Sequence, residues 1–280
     1  MKILVDVDRS QEYRGALAII SRLHFPNAEL VLLHTEQRVL VPDTQPYLSE
    51  FSSSATPDFL NHEGVGLLLE ASSNAGGYGL RGETLLEEGN ASEQLIRLAA
   101  ELDVDLVATG SRGVATETLF NQSPTSFVVA KGDVEPSGPL RFLFATDHSA
   151  YSNLVFEKFL AWNPQGASEV TIFTAMAPTD RLMAASFHRH GFEEESQAAR
   201  TAYRQSAELV QRLTERGFNA NARIWTGHVP HAIDVAVKES QSDLLVIGAQ
   251  GHGFIDRLFA GSVASAVLAH ASYPVLVIRP

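Results

Sequence analysis

The chain repeats itself, and that duplication limits its folds more than any other feature. Ile3-Leu4-Val5-Asp6-Val7-Asp8-Arg9-Ser10 returns as Phe142-Leu143-Phe144-Ala145-Thr146-Asp147-His148-Ser149, a shift of 147 − 8 = 139. Asp105-Leu106-Val107-Ala108-Thr109-Gly110-Ser111-Arg112-Gly113 returns as Asp243-Leu244-Leu245-Val246-Ile247-Gly248-Ala249-Gln250-Gly251, a shift of 248 − 110 = 138. Two blocks roughly 100 residues apart that repeat at almost one offset indicate a duplicated domain. The boundary is expected in the turn-rich Pro136-Ser137-Gly138-Pro139, which divides the chain into residues 1–138 and 139–280.

With 280 residues, 45% hydrophobic and 19% charged, each copy has the material for its own core. The absence of cysteine excludes disulfides, thiolate metal sites and cysteine nucleophiles, and fits a reducing compartment. A formal net charge of −12 argues against a surface for DNA or RNA. No run approaches the roughly 18 uncharged apolar residues that span a bilayer. Early acids in Met1-Lys2-Ile3-Leu4-Val5-Asp6 rule out a secretory hydrophobic region. A cytoplasmic protein with no nucleic-acid or membrane partner is the expectation.

Each copy alternates short apolar runs with amphipathic stretches. In the second, residues 141–146, 169–175, 220–225, 243–248 and 274–279 read as strands, and 150–161, 193–216, 229–240 and 262–271 as helices. The first reads the same way, with strands near 2–7, 29–34, 82–87 and 104–109 and helices near 11–23 and 91–102. Near-continuous aliphatic strands imply a parallel sheet covered on both faces. Alternating β and α segments imply right-handed crossovers and a doubly wound, Rossmann-like sheet in each copy. The stretch 41–80, rich in Ser, Pro, Asn and Gly, is expected to be a long irregular excursion.

Strand 243–248 runs into Gly248, Gly251 and then Gly261-Ser262, a spacing of Gly, two residues, Gly, nine residues and Gly-Ser. Gly248 and Gly251 let backbone approach a ligand with no Cβ in the way. Gly261-Ser262 opens a helix, with Ser262 as a natural N-cap, and a helix start offers free N–H donors and a positive dipole end. An anion held in this way needs no lysine, which suits an acidic chain. Glycines after a parallel strand also serve simply as turns, and spacing alone leaves both readings open.

Gly-x2-Gly-x9-Gly-Ser after a strand, with an aspartate closing the first strand of the same domain, resembles the ATP-binding members of the universal stress protein family. Tyr273-Pro274-Val275-Leu276-Val277-Ile278-Arg279 resembles that family's last strand. The resemblance covers both copies and is strongest in the second. It implies a five-stranded parallel sheet in each copy. It also implies an adenine nucleotide, ATP or a relative with or without Mg²⁺, over the C-terminal strand edges where open α/β sheets bind ligands. Carried over, Gly248, Gly251, Gly261, Ser262 and Val263 match the loop for phosphate and ribose, and Asp147 matches the acid near ribose and base. Thr174 or Ala175 stands where the family's backbone meets the base. Apart from the resemblance, His252 inside the glycine loop is a candidate to touch a phosphate. Asp147 has a second reading as a helix N-cap partnered by Ser149.

The first copy departs from the pattern. Nine residues after Gly113, Ser123-Pro124 stands in place of Gly-Ser. Pro124 has no N–H to give a phosphate, whereas Ser-Pro still suits a helix start. This copy therefore reads as a degenerate partner. Ser137-Gly138-Pro139 also replaces the apolar run of a fifth strand, and two readings follow. Either that strand is missing, or Phe127-Val128-Val129-Ala130 forms it and the preceding helix is lost.

His188-Arg189-His190 with Glu193 to Glu195, and His228 with His231, have metal-ligand residue types but read as solvated surface. No Ser-His-Asp or paired-carboxylate arrangement stands out, and no Walker-type lysine follows the glycine loop. The favoured function is a nucleotide-occupied stress-response regulator with an unidentified protein partner. The alternatives are a slow Mg²⁺-dependent ATPase or nucleotide hydrolase using Asp147, and a carrier or interaction scaffold working through 41–80. If the first copy lacks its last strand, the apolar run Val275 to Ile278 needs a partner elsewhere, which favours a homodimer of pseudo-dimers.

Overall fold

The computed structural model describes residues 1–36, 56–110, 115–132, 134, 138–176, 190–250 and 261–280. The chain forms two compact units. In the first, β1 (Lys2–Asp6) leads through α1 (Tyr13–Leu23), β2 (Glu29–Glu36), α2 (Thr56–Gly77) and β3 (Gly82–Glu88) to α3 (Ala91–Glu101), β4 (Leu106–Gly110), α4 (Ala115–Gln122) and β5 (Ser126–Ala130). The second runs β6 (Leu140–Ala145), α5 (Ala150–Trp162), β7 (Ala167–Met176), α6 (His190–Glu215) and β8 (Ala220–Thr226). It ends with α7 (Val229–Glu239), β9 (Leu244–Gly248), α8 (Ser262–His270) and β10 (Val275–Ile278).

The strand order is β3-β2-β1-β4-β5 in the first unit and β10-β9-β6-β7-β8 in the second, all parallel, so the first strand of each is central. That is the doubly wound order expected from the alternating pattern. Central strands are aliphatic because helices cover both faces, and β4, β5, β9 and β10 are buried along their whole length. Under β6 the rings of Phe142, Phe144, Phe156 and Phe159 meet edge to face, with centroids 5.5–5.8 Å apart. Local capping sets the helix starts. Asn90 accepts from the N–H groups of Ser92 and Glu93 to begin α3, and Ser149 accepts from Ser152 to begin α5. Among the described residues no helix is long and apolar enough to cross a membrane.

Three expectations are corrected. The stretch 41–80 is not irregular throughout, because α2 fills Thr56–Gly77. Its glycines each cost the helix about 1 kcal/mol in propensity, but Gly64, Leu68, Ala71 and Ala75 bury one stripe at 4-3-4 spacing. Gly64 is needed at that contact, since a Cβ there would run into Glu36 and reach within 2.9 Å of Leu86 and 3.0 Å of His34. Tertiary packing overrides composition.

The first domain keeps its fifth strand, formed by Phe127 to Ala130 as one of the two readings had it, but without the loss of the preceding helix which that reading assumed. β5 pairs with β4 from Leu106–Ser126 to Gly110–Ala130, and α4 is retained before it. What has shrunk is the connection. Gly110 faces Ala130, an interval of 130 − 110 = 20, whereas Gly248 faces Ile278, an interval of 278 − 248 = 30. Ser123-Pro124 therefore ends α4 and starts no helix: Ser123 N–H donates to Leu119 O at 3.1 Å, and Ser123 Oγ accepts from Thr125 N–H. The sequence comparison placed these residues one element too early because it assumed an equal loop length. With β5 present, no missing strand calls for Val275 to Ile278 to pair with a second chain.

Candidate functional site

The second domain holds a cavity of about 340 Å³ at the C-terminal ends of β6 and β9. The chain leaves these two neighbouring central strands toward opposite sides of the sheet, and the divergence opens a cleft at that point. Its lining comes from each surrounding element in turn. β6 and the turn after it supply Ala145, Thr146 and Asp147, β7 supplies Phe173 and Ala175, and β9 supplies Ile247 and Gly248. Ser152 of α5, Gln250, Val229 and Ile233 of α7, and Gly261, Ser262, Val263 and Ala264 complete the wall.

The phosphate-type end is the start of α8. Gly261 is the N-cap, in extended conformation (φ −67°, ψ 138°), and makes no side-chain cap bond. This corrects the assignment of Ser262, which is the first helical residue. The Gly261 N–H donates to Ala249 O at 2.8 Å, and Ser265 N–H closes the first helical bond to Gly261 O at 3.0 Å. The N–H groups of residues 262–264 lie before that first bond and have no intrahelical acceptor. All three residues line the cavity, where the helix dipole adds its positive end.

Asp147 also lines the cleft. Its Oδ1 accepts from Ser149 N–H at 3.0 Å, while the helix N-cap is Ser149 itself. The turn is further tied by His148 N–H donating to Thr146 Oγ1 (3.0 Å), which in turn bonds Ser152 Oγ (3.1 Å). Apart from Thr146, Ser152 and Gln250, the remaining wall is apolar, formed by Ala145, Phe173, Ala175, Val229, Ile233 and Ile247. Such a cavity suits a ligand with a flat apolar body and an anionic tail, and its volume falls within the roughly 300–1,000 Å³ of small-molecule sites.

Of the residues singled out from sequence, the structure brings Asp147, Ala175, Gly248, Gly261, Ser262 and Val263 together on this cavity. Thr174 is not in the lining; it is buried, with its hydroxyl bonded to His148 and Ser206. Gly251 and His252 lie outside the described residues, as do His188 and Arg189. His228 and His231 are exposed at the start of α7, and among the described residues no group of three or more His, Cys, Asp or Glu could hold a metal ion. Sequence reasoning missed Val229 and Ile233, although their i, i+4 spacing marked one face of a helix. That spacing could not tell that the face looks onto the cleft.

The corresponding positions of the first domain carry a different chemistry. Subtracting the repeat offsets turns Ala145 into Asp6 and Ile247 into Thr109, and strand pairing matches Ala175 with Thr35. Thr109 donates to the buried Asp6 carboxylate at 3.1 Å. Burial raises the Asp6 carboxyl from its ordinary 3.8 to about 6, with Asp8 adding repulsion and the Thr109 bond opposing. Beside Gly110 stands Glu12: a Cβ on that glycine would collide with the Glu12 side chain and sit 3.0 Å from its Oε2. At Gly248 the neighbours are Tyr151 and Val155 instead. A carboxylate thus flanks the shortened loop of the first domain.

Tandem doubly wound domains, with a cleft at the strand switch of the second, define the class: a duplicated α/β protein of Rossmann-like order. The model of the universal stress protein family matches residues 1–135 and again 140–279, and the chain belongs to that family. It is similar to Universal stress protein YxiE of Bacillus subtilis, 28% identical over 119 residues that cover 41% of this chain and 80% of that protein. It is also similar to Universal stress protein Slr1230 of Synechocystis sp., 37% identical over 67 residues. That match covers 24% of this chain and 23% of the Synechocystis protein. Among solved structures, a universal stress protein from Archaeoglobus fulgidus aligns with a TM-score of 0.69 over 99% of this chain and 96% of its own length. At 17% identity that likeness is one of fold.

Proposed function

We propose that the second domain binds an adenine nucleotide, ATP in the first place, and that the chain is a nucleotide-occupied regulator of a stress response. The observation that carries this reading is the start of α8, where three N–H groups without intrahelical acceptors line a largely apolar cavity that Asp147 also lines. The phosphates lie against residues 261–263, the ribose near Asp147, and the base among Phe173, Ala175, Val229 and Ile233. Glu12 and the shortened loop exclude polyphosphate from the first domain, which makes the chain a one-site protein.

Calorimetry is therefore expected to give one ATP per chain, and two equivalent sites would overturn the assignment. ATP at 100 times its Kd should add about 2.7 kcal/mol to the stability of the second domain. A protein that acts only as a scaffold would show no such shift.

Turnover is expected to be weak. The described lining residues include one carboxylate, Asp147, and no lysine or arginine to neutralise charge on a transferring phosphoryl group. Phosphate release at several per second, lost on Asp147→Ala, would assign the protein to the ATPases instead.

A further inference from the structure

We infer that His148 is a positioning residue, which ties the Asp147 turn of the cleft to helix α6 through the buried hydroxyls of Thr174 and Ser206. The inference rests on the nucleotide-site reading above and concerns how that site is held and sensed. His148 follows Asp147 in the chain and has left-handed backbone, φ 56°, a conformation that side-chain-bearing residues adopt at a cost. Because of that turn, Asp147 borders the cavity, while the His148 ring reaches the hydroxyls behind it. Its Nε2 lies 2.9 Å from Thr174 Oγ1 and 3.1 Å from Ser206 Oγ, and the two hydroxyls lie 3.4 Å from each other.

Thr174 is 4% exposed and Ser206 fully buried, so the two hydroxyls are closed to bulk water, while the His148 ring that reaches them is half-buried. Each hydroxyl both donates and accepts, which lets the pair satisfy Nε2 in either protonation state. Three elements meet at one ring: the β6–α5 turn, the end of β7 and the middle of α6. Asp147 and His148 share a peptide, so a shift of the Asp147 backbone on ribose binding would be carried into His148. Such a displacement reaches α6 through one side chain, the His148 ring on Ser206.

The test uses the full chain with ATP as the probe. His148→Asn keeps a residue that tolerates left-handed backbone but is too short to reach Thr174 and Ser206. It should weaken ATP binding about tenfold, the scale of one net hydrogen bond's worth of positioning. In an Asp147→Ala background the same change should alter affinity by less than about twofold, because there is then no carboxylate to position. ATP should also slow amide exchange of α6 around Ser206 in the wild type, and this protection should be lost in His148→Asn. If His148→Asn does not fold, Ser206→Ala removes one anchor from the α6 side, and a loss of the same protection is expected.

Equal weakening in both backgrounds, or ATP protection of α6 that survives His148→Asn, would overturn the positioning role while leaving the nucleotide site intact. Failure of the wild-type chain to bind ATP would instead overturn the site itself.

Discussion

Gly261→Asp is expected to abolish ATP binding while the second domain stays folded. Gly261 is the N-cap of α8 with φ −67° and ψ 138°, a conformation open to any residue. Its added Cβ would lie 3.2 Å from Ala249 O and 3.3 Å from Gln250 Cα, a tight fit that asks the chain to give by a few tenths of an ångström. Aspartate is among the best N-cap residues, so its carboxylate would accept from the first-turn N–H groups. Those are the donors proposed for the phosphates. The variant therefore fills the anion site with its own charge and adds repulsion, for an expected loss beyond about hundredfold, or roughly 2.7 kcal/mol.

Melting of the ligand-free protein should be nearly unchanged, because the new cap offsets the tight Cβ. Gly261→Asn caps in the same way without the charge and should lose less affinity. ATP binding by Gly261→Asp within about threefold of wild type would remove the start of α8 from the site.

In the first domain, Asp6→Asn is expected to stabilise at neutral pH and above. A carboxyl whose folded value is raised holds its proton more tightly when folded than when unfolded, so stability falls as pH rises through that window. For Asp6 the window runs from 3.8 to about 6. Above it the full penalty of a buried, ionised carboxylate is present, about 3 kcal/mol at 1.36 kcal/mol per unit. Asparagine accepts from Thr109 as the carboxylate does and carries no charge to desolvate. The variant should gain about 1–3 kcal/mol at pH 8, and its advantage should vanish near pH 4. Urea midpoints of variant and wild type across that range decide it, since other carboxylates contribute equally to both. A variant less stable at pH 8, with the wild-type pH slope, would place the raised value elsewhere.

Such a penalty is itself informative. The equivalent position of the second domain is Ala145, on the wall of the cavity. Duplication followed by divergence left one copy with an apolar wall and the other with an acid–threonine pair, Asp6 and Thr109. That divergence was in plain view in the aligned repeats, yet sequence reasoning fastened on the glycines and on Asp8 and Asp147. Only burial shows Asp6 to be the unusual residue.

Much of the architecture is legible along the chain, because it rests on neighbours in sequence. The 138–139-residue repeat shows the duplication, aliphatic runs mark strands buried on both faces, and Asn90 and Ser149 stand where helices start. The glycine spacing around Gly248 and Gly261 likewise names the loop that borders the cavity.

Tertiary structure decided the rest. Loop length in the first domain is visible only when β4 and β5 are paired, which shifts Ser123-Pro124 from a helix start to a helix end. Helix α2 owes its stripe of Gly64, Leu68, Ala71 and Ala75 to a packed surface that outweighs poor propensity. Val229 and Ile233 become cavity wall, and Thr174 turns away toward His148 and Ser206, because distant strands set which face each residue presents. Local chemistry is written in sequence, and contact between remote segments is a property of the whole fold.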